Sequence, residues 1–386
     1  MSKPGDVRVA AVDVFVVDLP AKAVFQLAGG LMSSPEAPTP RVLTRVTGEN
    51  GLVGWGESTP CPSWSYETTE SIYTTLVKYL APCAIGRPVW DLDGLHRAMD
   101  RAIMPGISTG QPIAKAGLDL AFYDLLGKTL GLSISQLLGG KRRDQITLGW
   151  IISSDRPDVG AELARQGLDA GYDAFKVKIG IHGERGDYEM VAAVRQVIGP
   201  DRFLWVDANQ GYVADQALRM ARRLEALGVA AFEQPLPAND LVGMKRLMDA
   251  TTIPIALDEA VRSPSDLALY VRLNAVEVAI VKVQRSAGLW GARQFGEIAE
   301  ASGVRLMGSG LTDSDVGLAA SLHLYARFGI DTPVDLNGRQ FVESCYVGAQ
   351  TVRVEGGTAY VPEGPGLGVE VDEEKVAFYR RPLPAW

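Results

Sequence analysis

Apolar and polar positions alternate differently in two parts of the chain. Residues 7–19 alternate as a strand, and 41–47 and 52–57 bracket a Glu-Asn-Gly turn, together predicting a β-meander. From Glu67 onward the period becomes helical. Residues 114–130 carry Leu118, Ala121, Phe122, Leu125 and Leu126 at helical spacing, the clearest amphipathic stretch. From about residue 145, short apolar runs alternate with helical stretches such as 213–227 and 289–302. The runs fall at 146–153, 174–180, 203–209, 231–236, 253–259, 276–283, 304–310 and 333–337. Eight such units predict a closed parallel (β/α)8 barrel over 145–340. An open doubly wound sheet shares the alternation, but its first strand usually runs into a Gly-rich phosphate loop. Here the first run leads into Ile-Ile-Ser-Ser-Asp-Arg-Pro-Asp, with no GxGxxG. Residues 1–130 read as an α+β domain, to which the Gly- and Pro-rich tail, within 345–386, is expected to return.

Composition narrows the classes. A chain of 386 residues exceeds one compact core, and 47% hydrophobic with 22% charged residues fits a globular enzyme. The net charge of −8 argues against nucleic acid, whose phosphates need a basic footprint. Cys61, Cys83 and Cys345 form no CxxC pair, so neither a disulfide framework nor a thiolate zinc site is expected. No apolar run has membrane-spanning length and no signal pattern opens the chain, so a cytoplasmic location is expected.

Catalytic groups of a barrel sit at the C-terminal ends of its strands. Read there, the chain offers Lys176 and Lys178 on the second run, Asp207 on the third, Glu233 on the fourth, Asp258 on the fifth and Lys282 on the sixth. Three anions on consecutive strands repel one another unless a cation joins them, and all-oxygen ligation suits Mg²⁺ or Mn²⁺. The plainer alternative, helix caps and ion pairs, suits one carboxylate better than three in register. Lys176 and Lys178 are two apart and share one face of their strand. A buried ammonium is costly unless paired or deprotonated, so Lys178 is a candidate base. For Lys176, a simple internal ion pair is the alternative. Lys282 lies across the barrel from Lys178, so two lysines could face one substrate from opposite sides. A proton beside a carboxylate is weakly acidic because its loss makes an enediolate dianion, and a metal on the carboxylate oxygens offsets that charge.

These residues resemble the enolase superfamily, specifically the muconate-lactonizing-enzyme subgroup of the mandelate racemase/muconate lactonizing enzyme family. The resemblance runs over nearly the whole chain. It includes Gly-Trp55-Gly-Glu57, Lys115 through Asp119 and Asp124, Lys-x-Lys, Val-Asp-Ala-Asn, Glu-Gln-Pro, Asp-Glu, the sixth-strand Lys and Gly-Pro-Gly-Leu-Gly368. It implies a modified TIM-type barrel under a capping domain built from N- and C-terminal segments. It further implies Mg²⁺ on Asp207, Glu233 and Asp258, acid/base roles for Lys178 and Lys282, and contact of Lys176 with the substrate carboxylate. Asn209 and Glu259 become neighbours that orient the ligands, and a homo-oligomer is implied. The seventh strand end lacks the histidine of the mandelate-racemase subgroup; His96, His182 and His323 read as structural.

The substrate is expected to be a small carboxylate. Asp335 and Asn337, at the eighth strand, resemble the paired Asp of dipeptide epimerases with one charge lost. Asp313 resembles a family Glu one methylene longer. Capping loops at 25–32 and 61–66 would bring Phe25, Trp64 and Tyr66 to the mouth, with Trp150 as a further wall. Sealing of the domain interface is the alternative for these aromatics. The expected reaction is racemisation or epimerisation of an amino-acid derivative; muconate-type cycloisomerisation and hydroxy-acid dehydration share its first step.

Overall fold

A computed structural model describes residues 7–349 and 351–382. The outer ends of the predicted segments 1–130 and 345–386 lie outside the described residues. The meander forms as an antiparallel sheet of Val9–Leu19, Thr39–Gly48 and Val53–Ser58, with Thr39–Gly48 in the middle. A two-stranded hairpin, Phe25–Leu27 with Gly30–Ser33, rises between its first two strands.

The helix Pro112–Leu130 lies across this sheet, and its residues from Pro112 to Gly127 are all buried. The single apolar stripe read from the sequence understates it. One side meets the sheet so closely that a Cβ at Gly56 would stand 1.9 Å from the Gly117 carbonyl oxygen. Another side reaches the barrel, where Asp119 accepts the Leu289 N–H at 2.6 Å. Small positions of the helix, Gly117 and Ala121, neutral in the periodicity, are what the close approach to the sheet requires.

Seven parallel strands form one sheet in chain order: Trp150–Ile152, Ala174–Lys178, Phe203–Asp207, Ala231–Glu233, Ile255–Leu257, Val278–Val281 and Arg305–Gly308. The eighth place is filled by the 333–337 run as isolated bridges, Leu148 with Val334 and Ser309 with Asp335. Gly149 donates to the Val334 carbonyl and Gly310 to that of Asp335, both at 2.8 Å, so the ring closes. The 146–153 run divides in two. Gln145–Thr147 pairs with Thr358–Tyr360 in a small antiparallel sheet, and only Trp150–Ile152 enters the barrel. The break falls at Gly149, where a Cβ would lie 2.1 Å from the Trp205 ring.

Period-two alternation places Ala174, Trp205, Ala231, Ala256, Val278, Ile280 and Met307 in one apolar cluster, separate from the main core. It plugs the barrel below the charged strand ends. The tail returns to the capping sheet: Val17 bridges Arg380, and Arg381 donates to the Val16 carbonyl at 2.8 Å. The molecule is thus an α/β modified barrel with a capping domain made from both ends of the chain. Among the described residues no helix is long and apolar enough to cross a membrane.

Candidate active site

Register sets the charged layer. Lys178 and Glu233 are both Cα partners of Asp207 on its two neighbouring strands, so the three share a row facing inward. Lys176 lies two residues below Lys178 on the same face, and Asp258 lies two residues beyond Ala256, the partner of Glu233. Lys282 continues the inward alternation of Val278 and Ile280. All six side chains are buried.

Ammonium groups lie among the carboxylates. Lys176 Nζ stands 2.9 Å from Asp207, 2.9 Å from Glu233 and 2.7 Å from Asp335. Lys178 Nζ is 2.6 Å from Asp207 Oδ2 and 3.1 Å from Asn209 Oδ1. Lys282 Nζ is 2.8 Å from Asp258 Oδ2, whose other oxygen meets Arg285. Burial opposes the charge on Lys176, but Asp207, Asp335 and Glu233 together hold its pKa well above the ordinary value. Lys282 is likewise raised, burial being outweighed by Asp258. Burial also works against ionised Asp207, yet Lys176 and Lys178 keep its pKa well below the usual range. Glu233 goes the other way, pushed up to about 8 by burial and by the charge of Asp207. Glu259, behind Asp258, is pushed up to about 7 by burial and that neighbour's charge.

Asp207, Glu233 and Asp258 suit a hard divalent cation by donor type, burial and adjacency. Burial first, and the neighbouring Asp207 charge second, disfavour ionised Glu233, and a bound cation would offset both. As placed, lysines rather than carboxylates fill the centre: among the described residues no three carboxylate, histidine or cysteine side chains converge as ligands. Asn209 and Glu259 support the cluster from outside. Asn209 donates its backbone N–H to Asp207 at 2.9 Å and its side-chain NH₂ to Glu259 at 3.1 Å.

Above the layer is a narrow cavity with about 20 Å³ of water-accessible space, room for little more than one water. Its cap side is Phe25, Leu27, Met32, Cys61 and Trp64; its barrel side includes Lys178, Lys282, Asn209, Thr312, Asp335 and Asn337. The Lys282 ammonium lies 4.2 Å from the centre of the Trp64 ring, and Trp64 Nε1 donates to Glu259 at 3.0 Å.

Comparison with known proteins matches both parts of the chain. Residues 11–139 match the mandelate racemase / muconate lactonizing enzyme N-terminal domain, and 160–375 match the enolase C-terminal domain-like family. The chain belongs to the mandelate racemase/muconate lactonizing enzyme family. It is an isomerase of the enolase superfamily, in the muconate-lactonizing-enzyme subgroup, whose enzymes generally depend on a divalent metal. It is 32% identical to the chloromuconate cycloisomerase CbnB of Cupriavidus necator, over 97% of this chain and 99% of that protein. The muconate lactonizing enzyme of Pseudomonas fluorescens, solved with muconolactone, superposes with a TM-score of 0.91 at 29% identity, covering 97% and 100% of the two chains. The N-succinyl Arg/Lys racemase of Bacillus cereus superposes at 0.90 with 26% identity, covering 97% and 98%.

Within this family member, three residues expected at the substrate stand elsewhere. Trp150 faces outward, edge-on to Tyr172 at 5.1 Å; its neighbour Ile151, opposite Lys176, faces inward with Phe25 and Phe341. One step along a strand reverses the face. Tyr66 is half exposed, its hydroxyl joined to Thr109 and to the Gln111 N–H. Asp313 turns into the domain seam, accepting from Gln284 at 2.6 Å and Thr59 at 3.3 Å. The turn is made by Thr312, whose φ of 65° is left-handed; for a β-branched residue this costs on the order of 1–3 kcal/mol.

Two participants escaped the sequence reading. Arg285, buried three residues beyond Lys282, pairs with Asp258 and donates to its carbonyl at 2.7 Å. Thr312 lines the cavity through a backbone conformation that no glycine advertises. Asp335, expected to meet substrate, is on the cavity wall but also pairs with Lys176. Of the histidines, His323 is a buried staple between the Ser135 N–H and the Leu367 carbonyl. His96 pairs with Asp119 at 2.7 Å, away from the cavity.

Proposed function

We propose that the protein removes the proton from the carbon beside a carboxylate of an amino-acid derivative and returns it to the opposite face, as a racemase or epimerase. The observation that carries this reading is the placement of Lys178 and Lys282. They come from the second and sixth strands of an eight-membered ring, on opposite walls, and both line the one cavity.

A divalent cation, Mg²⁺ by donor type, held by Asp207, Glu233 and Asp258 would supply positive charge for the enediolate oxygens. The rest falls to the chain's own groups. One lysine enters neutral, takes the α-proton on Nζ, and leaves the C–H electron pair in the enediolate. The other enters as ammonium and delivers a proton to the same carbon from the far side. Each must first release its carboxylate, Asp207 or Asp258. The capping residues exclude water from the intermediate, and Trp64, fixed by Glu259, backs Lys282.

The cavity's charge pattern supports a nitrogen-bearing substrate. Asp335 is on its wall, with Oδ1 buried and without a hydrogen-bond partner. An ammonium or amide N–H would satisfy that oxygen, whereas the second carboxylate of a muconate would face it or the apolar cap.

A second reading, muconate-type cycloisomerisation, is favoured by the 32% identity to CbnB over nearly full length. Proton NMR in D₂O separates the two. N-acyl amino acids, N-succinyl amino acids and dipeptides should lose their α-proton signal to deuterium. Absence of exchange with all three, together with loss of cis,cis-muconate absorbance, would establish the second reading instead.

A further inference from the structure

A buried ion pair outside the catalytic cluster sits in the seam between capping domain and barrel. Arg41, on Thr39–Gly48, and Glu57, on Val53–Ser58, are both fully buried, with Arg41 Nε 3.3 Å from Glu57 Oε1. Beyond the pair, Arg41 Nη1 donates to the Pro40 carbonyl at 2.8 Å, and other polar atoms of both side chains reach the turn after the seventh barrel strand and the segments beside it. Arg41 Nη2 donates to the Thr312 carbonyl. Glu57 accepts the Ser314 N–H at 2.9 Å, the Gly317 N–H at 3.3 Å and the Tyr346 hydroxyl at 2.7 Å.

The turn so gripped is the one with left-handed Thr312. Its conformation sends Asp313 into the seam and leaves Gly310, Leu311 and Thr312 on the cavity wall. Gly338 locks the other side: a Cβ there would lie 1.7 Å from the Asp313 carbonyl oxygen. A buried ion pair is weak as a source of stability in itself, and backbone strain persists only where its surroundings over-determine it. Both features meet at the Thr312 carbonyl.

We propose that Thr312 is a specificity-determining residue of the cavity, and that Arg41 and Glu57 are positioning residues that hold it in its left-handed conformation from across the domain seam. This rests on reading the cavity as the substrate site. Weakening the Arg41 grip lets Thr312 relax and withdraws its side chain from the wall, while the lysines and carboxylates stay in place. Glycine adopts the left-handed conformation without strain, so a loop with glycine at 312 needs no grip.

The test compares wild type, Arg41→Lys, Thr312→Gly and the double variant, all loaded with Mg²⁺. Hydrogen exchange over residues 310–317 should be about tenfold faster in Arg41→Lys and near wild type in Thr312→Gly and the double variant. For α-proton exchange of N-acetyl- and N-succinyl-amino acids, both single variants should raise KM about tenfold with kcat nearly unchanged. The double variant should be no worse than either single. Independent, additive effects in either measurement overturn the proposal, as does a fall in kcat with KM unchanged. If the wild type exchanges no α-proton, the preceding functional reading fails; the hydrogen-exchange arm still decides the grip, and KM is then taken for cis,cis-muconate.

Discussion

The Lys178 ammonium lies 2.6 Å from Oδ2 of Asp207, the residue directly opposite it in the parallel ladder. The same carboxylate is one of three suited to a cation, so lysine and metal compete for it. Mg²⁺ should therefore stabilise the wild type, by about 2.7 kcal/mol at a hundred times its dissociation constant. Thermal unfolding with and without a chelator checks this. Asp207→Asn, Glu233→Gln and Asp258→Asn should each abolish the shift.

Lys176 is a cation buried among Asp207, Glu233 and Asp335. Removing it leaves the buried carboxyl groups of Asp207, Glu233 and Asp335 facing one another without that counter-charge. Lys176→Met should cost about 3–5 kcal/mol in urea unfolding without metal, against at most ~1 kcal/mol for an exposed pair such as Arg165–Glu162. A loss no larger than the exposed pair's would mean the ammonium does not neutralise the cluster.

His323 makes stability depend on acidity. Its Nδ1 accepts from Ser135 and its Nε2–H donates to Leu367, so the folded state holds the neutral ring. Burial pushes its pKa down to about 4 from an ordinary 6.5. The unfolded chain takes up the proton first, so the contribution is complete above pH 6.5 and fades as pH falls toward 4. Relative to wild type, His323→Gln should flatten the stability profile across that window by about 3 kcal/mol. Parallel profiles would contradict the assignment.

Gly56 touches the helix Pro112–Leu130 where a methyl would meet the Gly117 carbonyl at 1.9 Å. Gly56→Ala should lower the unfolding free energy measured in urea by at least the roughly 1–3 kcal/mol of ordinary overpacking. Gly51→Ala, at a turn where a methyl meets nothing within 4 Å, tests backbone conformation alone, since its φ is 78°.

The charged inward layer was legible because barrel geometry converts sequence spacing into position. Inward faces repeat every second residue and functional groups gather at strand ends, so Lys176, Lys178, Asp207, Glu233, Asp258 and Lys282 could be placed from the chain. The same rule misplaced Trp150 by one residue, because the 146–153 run breaks at Gly149 and resumes in the barrel. Asp313 and Thr312 were not legible: a left-handed turn at a threonine leaves no mark in composition or period. The motif residues around the cap proved to be joints. Asp124 accepts the Trp55 and Leu367 N–H groups, both at 2.8 Å, and Asp119 ties the long helix to the barrel. Such residues identify the architecture and leave the substrate open.

The two-lysine claim is tested most directly by following α-proton exchange in D₂O for each enantiomer of a turned-over substrate, with Lys178→Ala and Lys282→Ala beside the wild type. General acid–base groups contribute roughly 10²–10⁴-fold, so each variant should lose racemisation by about that factor. Each should keep exchange for one enantiomer, and the two variants should keep opposite ones. Near-normal racemisation by Lys282→Ala would contradict the account.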